Sequence, residues 1–395
     1  MNILYLCDEY PPCQHGGIGS ATQLLARTLA LKGHNVYVAG FYPYYRVADK
    51  NQNDQGIKVF RFFYGSKLQL QFSKRNFFGK FVNISGQFNK YLAFLKTIIE
   101  ENAIEIIETP DFVEAFRYSG PLMIKFPDFG VPLVVKLHSS YTVYNAQNNL
   151  GSGNKKIFLK EKILLDSAQG IVGVSDSIRK RAKEVFIGID NIEVLYNGIK
   201  LDSNIEYNTA SDNNTVVFAG SLVEQKGIFN LLKAWSRVIE IVASARLFLY
   251  GKSSVKAELE IRSYLKAFPR NSVEIKGFVS KELLSGIYSE ASCAIFPSFQ
   301  EAFSMAPMEA MAVGCPVIYT KRTSGPELIT NGVDGILVDP ENIQEIADAI
   351  VFILRNREKA IKLGQKGYLK IKDNFDISLI ANRHLKYYQH IIDKS

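Results

Sequence analysis

The sequence predicts an α/β protein made of two doubly wound halves, and three observations carry that prediction. Short apolar runs alternate with segments of helical period from one end of the chain to the other. The alternation stops at a polar stretch rich in Asn, Asp and Ser, residues 202–214, and then begins again. At 395 residues the chain can furnish two domains, each large enough for a core of its own. With 47% hydrophobic and 22% charged residues, the composition is that of a globular chain without long disorder.

Residues 2–7 form a buried first strand. They lack a basic flank and end at Asp8 and Glu9, so they are not read as a signal peptide. Residues 19–32 place apolar side chains at helical spacing, and 35–39 form a second strand. Between 40 and 88 the pattern loosens, with aromatic and basic residues mixed. A helix follows over 87–102, then strands over 104–107, 131–137 and 170–174. Each is short, apolar and bounded by turn residues, as parallel strands covered on both faces are. Residues 191–195 and the turn Tyr196-Asn197-Gly198 close the first half. The second half has strands at 215–219, 246–250, 273–276, 293–297, 317–319 and 336–338, and a helix over 228–241. An aromatic and basic helix, residues 378–392, comes last.

No apolar run is long enough to span a bilayer. Cys7, Cys13, Cys293 and Cys315 are scattered without a C-x(2–4)-C pair. That argues against zinc and for buried thiols in a reducing cytoplasm. The formal net charge is +8. Basic residues gather in the first half: Lys67, Lys74, Arg75, Lys80, Lys90 and Lys96, then Lys155, Lys156, Lys160 and Lys162, then 179–183. They read either as solvated helix faces or as a surface drawn to anionic membrane lipid, each near-surface basic residue adding about 1 kcal/mol. No recognisable nucleic-acid-binding module accompanies the charge, so nucleic acid is not expected as a partner.

The densest chemistry lies between Ile295 and Asn342. Glu301 and Glu309 stand in the spacing E-x(7)-E, after the apolar run 294–298 and around a loop broken by Pro307. Pro307 suits a first helical turn, where its missing N–H is no loss. That places Glu309 in the opening turn and Glu301 on the loop ahead. The unpaired N–H groups of 305–309 then point between the carboxylates. A helix N-terminus suits a phosphate, and carboxylates accept hydrogen bonds from sugar hydroxyls. Taken alone, Glu309 could be an ordinary first-turn acid favoured by the macrodipole, and Glu301 a solvated loop residue.

The order strand–Glu–loop–Pro–Glu–helix–Gly–strand, followed by Ser324-Gly325-Pro326-Glu327 and by Asn331-Gly332-Val333-Asp334-Gly335-Ile336-Leu337-Val338, resembles a known signature. It is that of the retaining nucleotide-sugar glycosyltransferases of the GT-B fold, family four (glycosyl transferases group 1). The resemblance extends over nearly the whole chain. It implies two Rossmann-like domains facing across a cleft: residues 1–199 on the acceptor side and 200–377 binding the nucleotide sugar. It also implies that the last helix, 378–395, returns to the first domain. Ligands of such sheets bind outside the carboxyl ends of the strands.

The resemblance assigns roles residue by residue. Glu301 would bind hydroxyls of the transferred sugar and Glu309 the ribose hydroxyls, while Phe303, Ser304, Met305 and Ala306 would offer backbone N–H groups to the β-phosphate. Lys226, in Gly220-Ser221-Leu222-Val223-Glu224-Gln225-Lys226-Gly227, matches one of two cations that clamp the diphosphate. Its ammonium can neutralise charge growing on the leaving group. The other cation of the family, an Arg, is replaced here by Ser221, so either Lys252 or Arg322 substitutes or catalysis is weakened. Gly17 and Gly19, in the Gly-rich turn after the first strand, would touch the donor diphosphate or serve as a plain turn. His138, ending the strand 134–137, would hydrogen-bond a sugar hydroxyl near the reacting carbon. Glu108-Thr109-Pro110-Asp111-Phe112 reads as an acceptor-side loop or a turn. Gly277-Phe278-Val279 would read the nucleotide base, with Phe278 and Val279 as contacts.

The expected activity is a retaining hexosyltransferase with no cofactor, the nucleotide diphosphate sugar being a co-substrate. Its acceptor would be a glycan or lipid-linked, in surface polysaccharide synthesis. No D-x-D motif stands at a strand end, so metal independence is expected. The expected location is cytoplasmic, with peripheral contact at an anionic membrane face as an option. Two rivals stand beside this reading. One is a non-catalytic relative that binds nucleotide sugar, suggested by Ser221. The other is a glycoside hydrolase using Glu301 and Glu309, which would have to face each other about 5–9 Å apart.

Overall fold

The computed structural model describes residues 1–13, 16–43, 51–64, 85–111, 127–147, 154–201, 213–269 and 271–395. The chain divides into two compact units, Met1–Gly198 with Ile377–Ser395, and Ile199–Asp376. In the first unit β1 (Asn2–Leu6) leads to α1 (Gly17–Leu31), β2 (Asn35–Pro43), β3 (Asn51–Asp54), β4 (Ile57–Tyr64) and α2 (Ser85–Glu101). Then come β5 (Ile106–Pro110), β6 (Leu133–Leu137), α3 (Tyr141–Gln147), α4 (Lys155–Asp166), β7 (Gly170–Gly173), α5 (Asp176–Val185) and β8 (Glu193–Val194). Eight described strands form one sheet in the order β3-β4-β2-β1-β5-β6-β7-β8. All neighbours are parallel except the β3–β4 hairpin.

The second unit begins with β9 (Thr215–Ala219), a 3-10 turn (Glu224–Lys226), α6 (Ile228–Ile241), β10 (Arg246–Tyr250), α7 (Val255–Leu265), β11 (Val273–Gly277) and α8 (Lys281–Glu290). It continues with β12 (Cys293–Phe296), α9 (Met305–Met311), β13 (Val317–Thr320), α10 (Gly325–Leu328), β14 (Ile336–Val338), α11 (Ile343–Arg355) and α12 (Arg357–Asn374). Its sheet is parallel throughout, in the order β11-β10-β9-β12-β13-β14. α6 buries Ile228, Leu231, Leu232, Trp235 and Val238, the i, i+3, i+4 spacing of an amphipathic helix. They pack on Val216 and Phe218 of β9, Leu247 of β10 and Ile350 of α11.

β3 and β4 correct the expectation of a loosened pattern between 40 and 88. Lys58 and Arg61 interrupt the apolar run of β4, yet the strand pairs with β2 from Lys58 to Tyr64. Arg61 is fully buried: its Nη2 donates to Pro11 O at 3.1 Å, and its guanidinium lies 5.5 Å from the Tyr42 ring centroid. This cation is an interior strut. The polar stretch 202–214 and the basic residues Lys67, Lys74, Arg75 and Lys80 lie outside the described residues, apart from Asn213 and Asn214.

The last helix, α13 (Ile377–Lys394), belongs to the first unit. Ile377, Ala381, Tyr388 and Ile391 join the core around Tyr5, Leu25 and Val134. Polar groups key it further. Tyr388 donates to Glu108 Oε2 at 2.6 Å, and its hydroxyl lies 3.1 Å from that of Tyr5. Lys136 Nζ stands 3.0 Å from His384 Nε2 and 4.0 Å from Glu108 Oε1. With His384 Nδ1 2.9 Å from the carbonyl of Ile380, the consistent tautomer carries its proton on Nδ1 and accepts the ammonium proton at Nε2. Burial and Lys136 hold that imidazole neutral.

Such a network tolerates the interior only while its members stay paired. Tyr388→Phe deprives the buried Glu108 of its short hydrogen bond. It is expected to destabilise the first unit by about 1–3 kcal/mol, measured by urea unfolding of the variant against the native chain.

Candidate active site

In both sheets the strand order reverses beside the first strand, at β1/β5 and at β9/β12. The crevice at such a switch point, beyond the carboxyl ends of the strands, is where open α/β sheets take ligands. Lys226 follows β9 and Glu301 follows β12, so these two flank the switch of the second unit. Gly227 takes φ +75°, and a Cβ there would collide with Pro297 O. The Phe299 N–H donates to Gln225 O at 3.0 Å. Through this close approach Lys226 Nζ reaches Glu301 Oε1 at 2.7 Å, with the carboxylate only 9% exposed. The backbone N–H of Glu301 donates to Thr323 Oγ1 at 3.2 Å.

α9 starts one turn after Glu301, with Ser304 as N-cap and no side-chain cap. Phe303 is buried against Phe375, ring centroids 5.5 Å apart; Met305 is buried, and Ser304 and Ala306 are half-buried. Since the helix begins at Met305, Pro307 is its third residue and Glu309 its fifth. The expectation that Glu309 lies in the opening turn is therefore corrected by about one residue, because Ser304 and not the loop before Pro307 starts the helix. Glu309 faces α8 instead, where Lys281 Nζ stands 3.4 Å from its Oε1. Phe278 and Val279 sit just ahead of α8, Phe278 at 69% exposure, so Glu309, Phe278 and Val279 share one side of this unit.

Ser221 is exposed at the end of β9. Of the two substitute cations, Arg322 is engaged: it reaches Asp339 at 3.0 Å and Glu341 at 2.7 Å. Lys252 is not, for it has no carboxylate within ion-pair distance among the described residues; its Nζ lies 4.8 Å from the Phe278 ring centroid.

In the first unit, α1 begins at the Gly-rich turn, but its start already holds an anion. The Glu9 carboxylate accepts from Gly19 N–H at 2.7 Å and from Gly16 N–H at 3.2 Å. Gly19 is buried and its N–H taken, whereas Gly17 is exposed with open space around it. In the sequence Glu9 ends a strand, and its place seven and ten residues before Gly16 and Gly19 is the signal for this cap.

His138 follows β6, half-buried, with Ser139 behind it at φ +80°. Burial and the nearby Lys136 ammonium push its pKa down to about 3, so the ring is neutral at physiological pH. Beside it, Asp111 follows β5, its N–H bonded to Lys136 O at 2.9 Å. Its carboxyl is buried, and among the described residues no side chain hydrogen-bonds either oxygen. Burial, reinforced by Glu161, pushes it up to about 8, while the backbone N–H groups of His138 and Ser140 oppose the shift. The first unit thus presents a neutral imidazole and a neutral carboxyl at adjacent strand ends.

Many of the basic side chains outside this site are partly neutralised on their own helices. Lys162 pairs with Asp166, Arg179 and Lys180 with Asp176, and Arg181 with Glu184. All four cysteines are buried and none forms a disulfide among the described residues. Among the described residues no helix is long and apolar enough to cross a membrane.

Two parallel-sheet units with polar groups gathered at the strand ends define a ligand-binding α/β protein, and comparison with known proteins gives its kind. Residues 202–370 match the model of glycosyl transferases group 1, and residues 15–203 that of glycosyltransferase family 4. The chain belongs to the GT-B glycosyltransferases of family four. It is 26% identical over 364 residues to an uncharacterized glycosyltransferase of Methanocaldococcus jannaschii, covering 88% of this chain and 87% of that one. It is 24% identical over 253 residues to a capsular polysaccharide biosynthesis glycosyltransferase of Staphylococcus aureus, covering 60% and 66%. Among solved structures, Anabaena HepE in complex with UDP superposes with a TM-score of 0.73 at 18% identity, over 99% of this chain and 100% of that one.

Asp111 makes stability depend on pH with a definite sign. The folded chain keeps the proton up to about 8, whereas the unfolded chain releases it near 3.8. Between these values the folded state binds more protons, so this group's contribution falls as pH rises, by up to about 1.4 kcal/mol per pH unit. Asp111→Asn removes that dependence. Its melting temperature relative to the native chain is expected to climb steadily from pH 5 to pH 8, read by circular dichroism.

Proposed function

We propose that the protein moves a hexose from a nucleotide diphosphate sugar to a glycan or lipid-linked acceptor with retention of configuration, in surface polysaccharide synthesis. The observation that carries this reading is the Lys226–Glu301 pair at the β9/β12 switch point, with the uncapped start of α9 beyond it and Glu309 one turn further. A carboxylate that can accept from hydroxyls, an ammonium that can meet phosphate and the backbone N–H groups at the start of α9 suit a sugar diphosphate. Glu309 is assigned the ribose hydroxyls, Phe278 and Val279 the base, and Gly17 a contact to the diphosphate.

In this reading the bond from the sugar C1 to the β-phosphate oxygen breaks and its electron pair leaves on the diphosphate. The acceptor hydroxyl bonds to C1 on the same face, and its proton passes to the leaving phosphate oxygen. Lys226 and the N–H groups at the start of α9 stabilise the charge that develops there. His138, neutral, hydrogen-bonds a sugar hydroxyl without delivering a proton. The hydrolase alternative fits less well, because Glu301 and Glu309 are each held on a lysine rather than opposed across one bond. The capsular polysaccharide relative and the exposed Lys155 and Lys156 of α4 support an acceptor on or near an anionic membrane. The HepE complex makes uridine diphosphate sugars the first donors to try.

Proton NMR of the product formed from α-linked UDP-, GDP- or ADP-hexose is expected to show an α-linkage, with the rate unchanged by EDTA. A β-linked product overturns retention, and loss of turnover with EDTA overturns metal independence. Glu309→Ala is expected to weaken donor binding by more than tenfold in calorimetry, and unchanged affinity in that variant removes the ribose assignment.

A further inference from the structure

We propose that Lys252 is the second phosphate-binding cation of the donor site, standing beside Ser221, where the neighbouring strand end carries no charge. The inference rests on the reading of the second unit as a nucleotide-diphosphate site. A nucleoside diphosphate carries more than one negative charge, and charge grows on it as the sugar leaves. The cations near the strand ends of this unit are largely committed already. Lys226 is held by Glu301 and Lys281 lies by Glu309. Lys321 reaches Asp339 and Glu345, and Arg322 reaches Asp339 and Glu341. Lys226 with Glu301 is formally neutral, so one further positive charge is needed where the diphosphate would lie.

Register puts Lys252 there. β9 and β10 are parallel, with Ala219 opposite Tyr250. The ladder continues beyond both strands, as Gly220 N–H donates to Tyr250 O and Leu222 N–H to Lys252 O, each at 2.9 Å. Ser221 and Lys252 are therefore lateral neighbours, about one strand spacing of 4.8 Å apart, on the same side of the ladder. Gly220 at φ +156° and Gly251 at φ +146° both take positive φ at this paired position. A Cβ on Gly251 would collide with Gly220 O, so the nesting requires glycine. The Lys252 ammonium rests over the exposed Phe278 ring. An aromatic face holds a cation without cancelling its charge, so the ammonium stays available to an anion, and the Ser221 hydroxyl can donate alongside it.

The test is calorimetric titration of the full chain with UDP, GDP and ADP at two salt concentrations. Lys252→Met is expected to weaken the nucleotide that binds the native chain by at least tenfold, and to flatten the salt dependence, with the melting temperature unchanged. Lys252→Arg should bind within threefold of native. Ser221→Arg in the Lys252→Met background should recover most of the loss, since it restores charge at the neighbouring register position. Native-like affinity in Lys252→Met overturns the proposal, as does a folded double variant with no recovery. A native chain that binds none of the three diphosphates overturns the donor reading and this proposal together.

Discussion

Strands covered on both faces leave little room for polar chemistry along their length, and that constraint organises this protein. β6, β7, β12 and β13 are buried at every residue. Polar side chains on such strands must either find partners in the interior or stand at the ends. Glu108 and Lys136 show the first solution, kept only because Tyr388 and His384 of the last helix complete their bonding. Lys226, Ser221, Lys252, Glu301, Asp111 and His138 show the second, each placed where a strand gives way to a loop.

In the second unit the decisive element is a contact without a side chain. Gly227 lies where any Cβ would strike Pro297 O, which draws the end of β9 against the end of β12 and sets Lys226 on Glu301. Losing either partner would leave the other unpaired, Glu301 buried and Lys226 half-buried, a change that commonly costs about 3–5 kcal/mol in a buried pair. The contribution here is smaller because Lys226 keeps 31% of its surface exposed. The pair's greater consequence is orientation: a salt bridge holds the carboxylate in one rotamer before any sugar arrives.

The first unit reaches neutrality by burial. His138 loses its proton affinity, and Asp111 keeps its proton, because desolvation penalises the charged form of each. Two groups that titrate in water thus become fixed hydrogen-bonding groups at adjacent strand ends. The Glu9 carboxylate already occupies the start of α1, which leaves Gly17, not Gly19, with an accessible N–H.

Apolar periodicity alone determined the strands of both sheets from 104 onward, because a buried parallel strand has few alternatives to an unbroken aliphatic run. Motif order then identified the family and the E-x(7)-E segment. What periodicity missed was β4, where Arg61 is a buried cation that no sequence pattern distinguishes from a surface one. Local pattern could not place Glu309 past the first turn of α9, nor show Glu9 capping α1. It offered both Lys252 and Arg322 as substitutes for the missing cation at Ser221. Only tertiary structure separated them, since Arg322 meets Asp339 and Glu341 while Lys252 lies in register beside Ser221. The physical reason is common to all four: residue type sets what a side chain can do, but the partners that take up its charge or its hydrogen bonds come from elements distant in sequence.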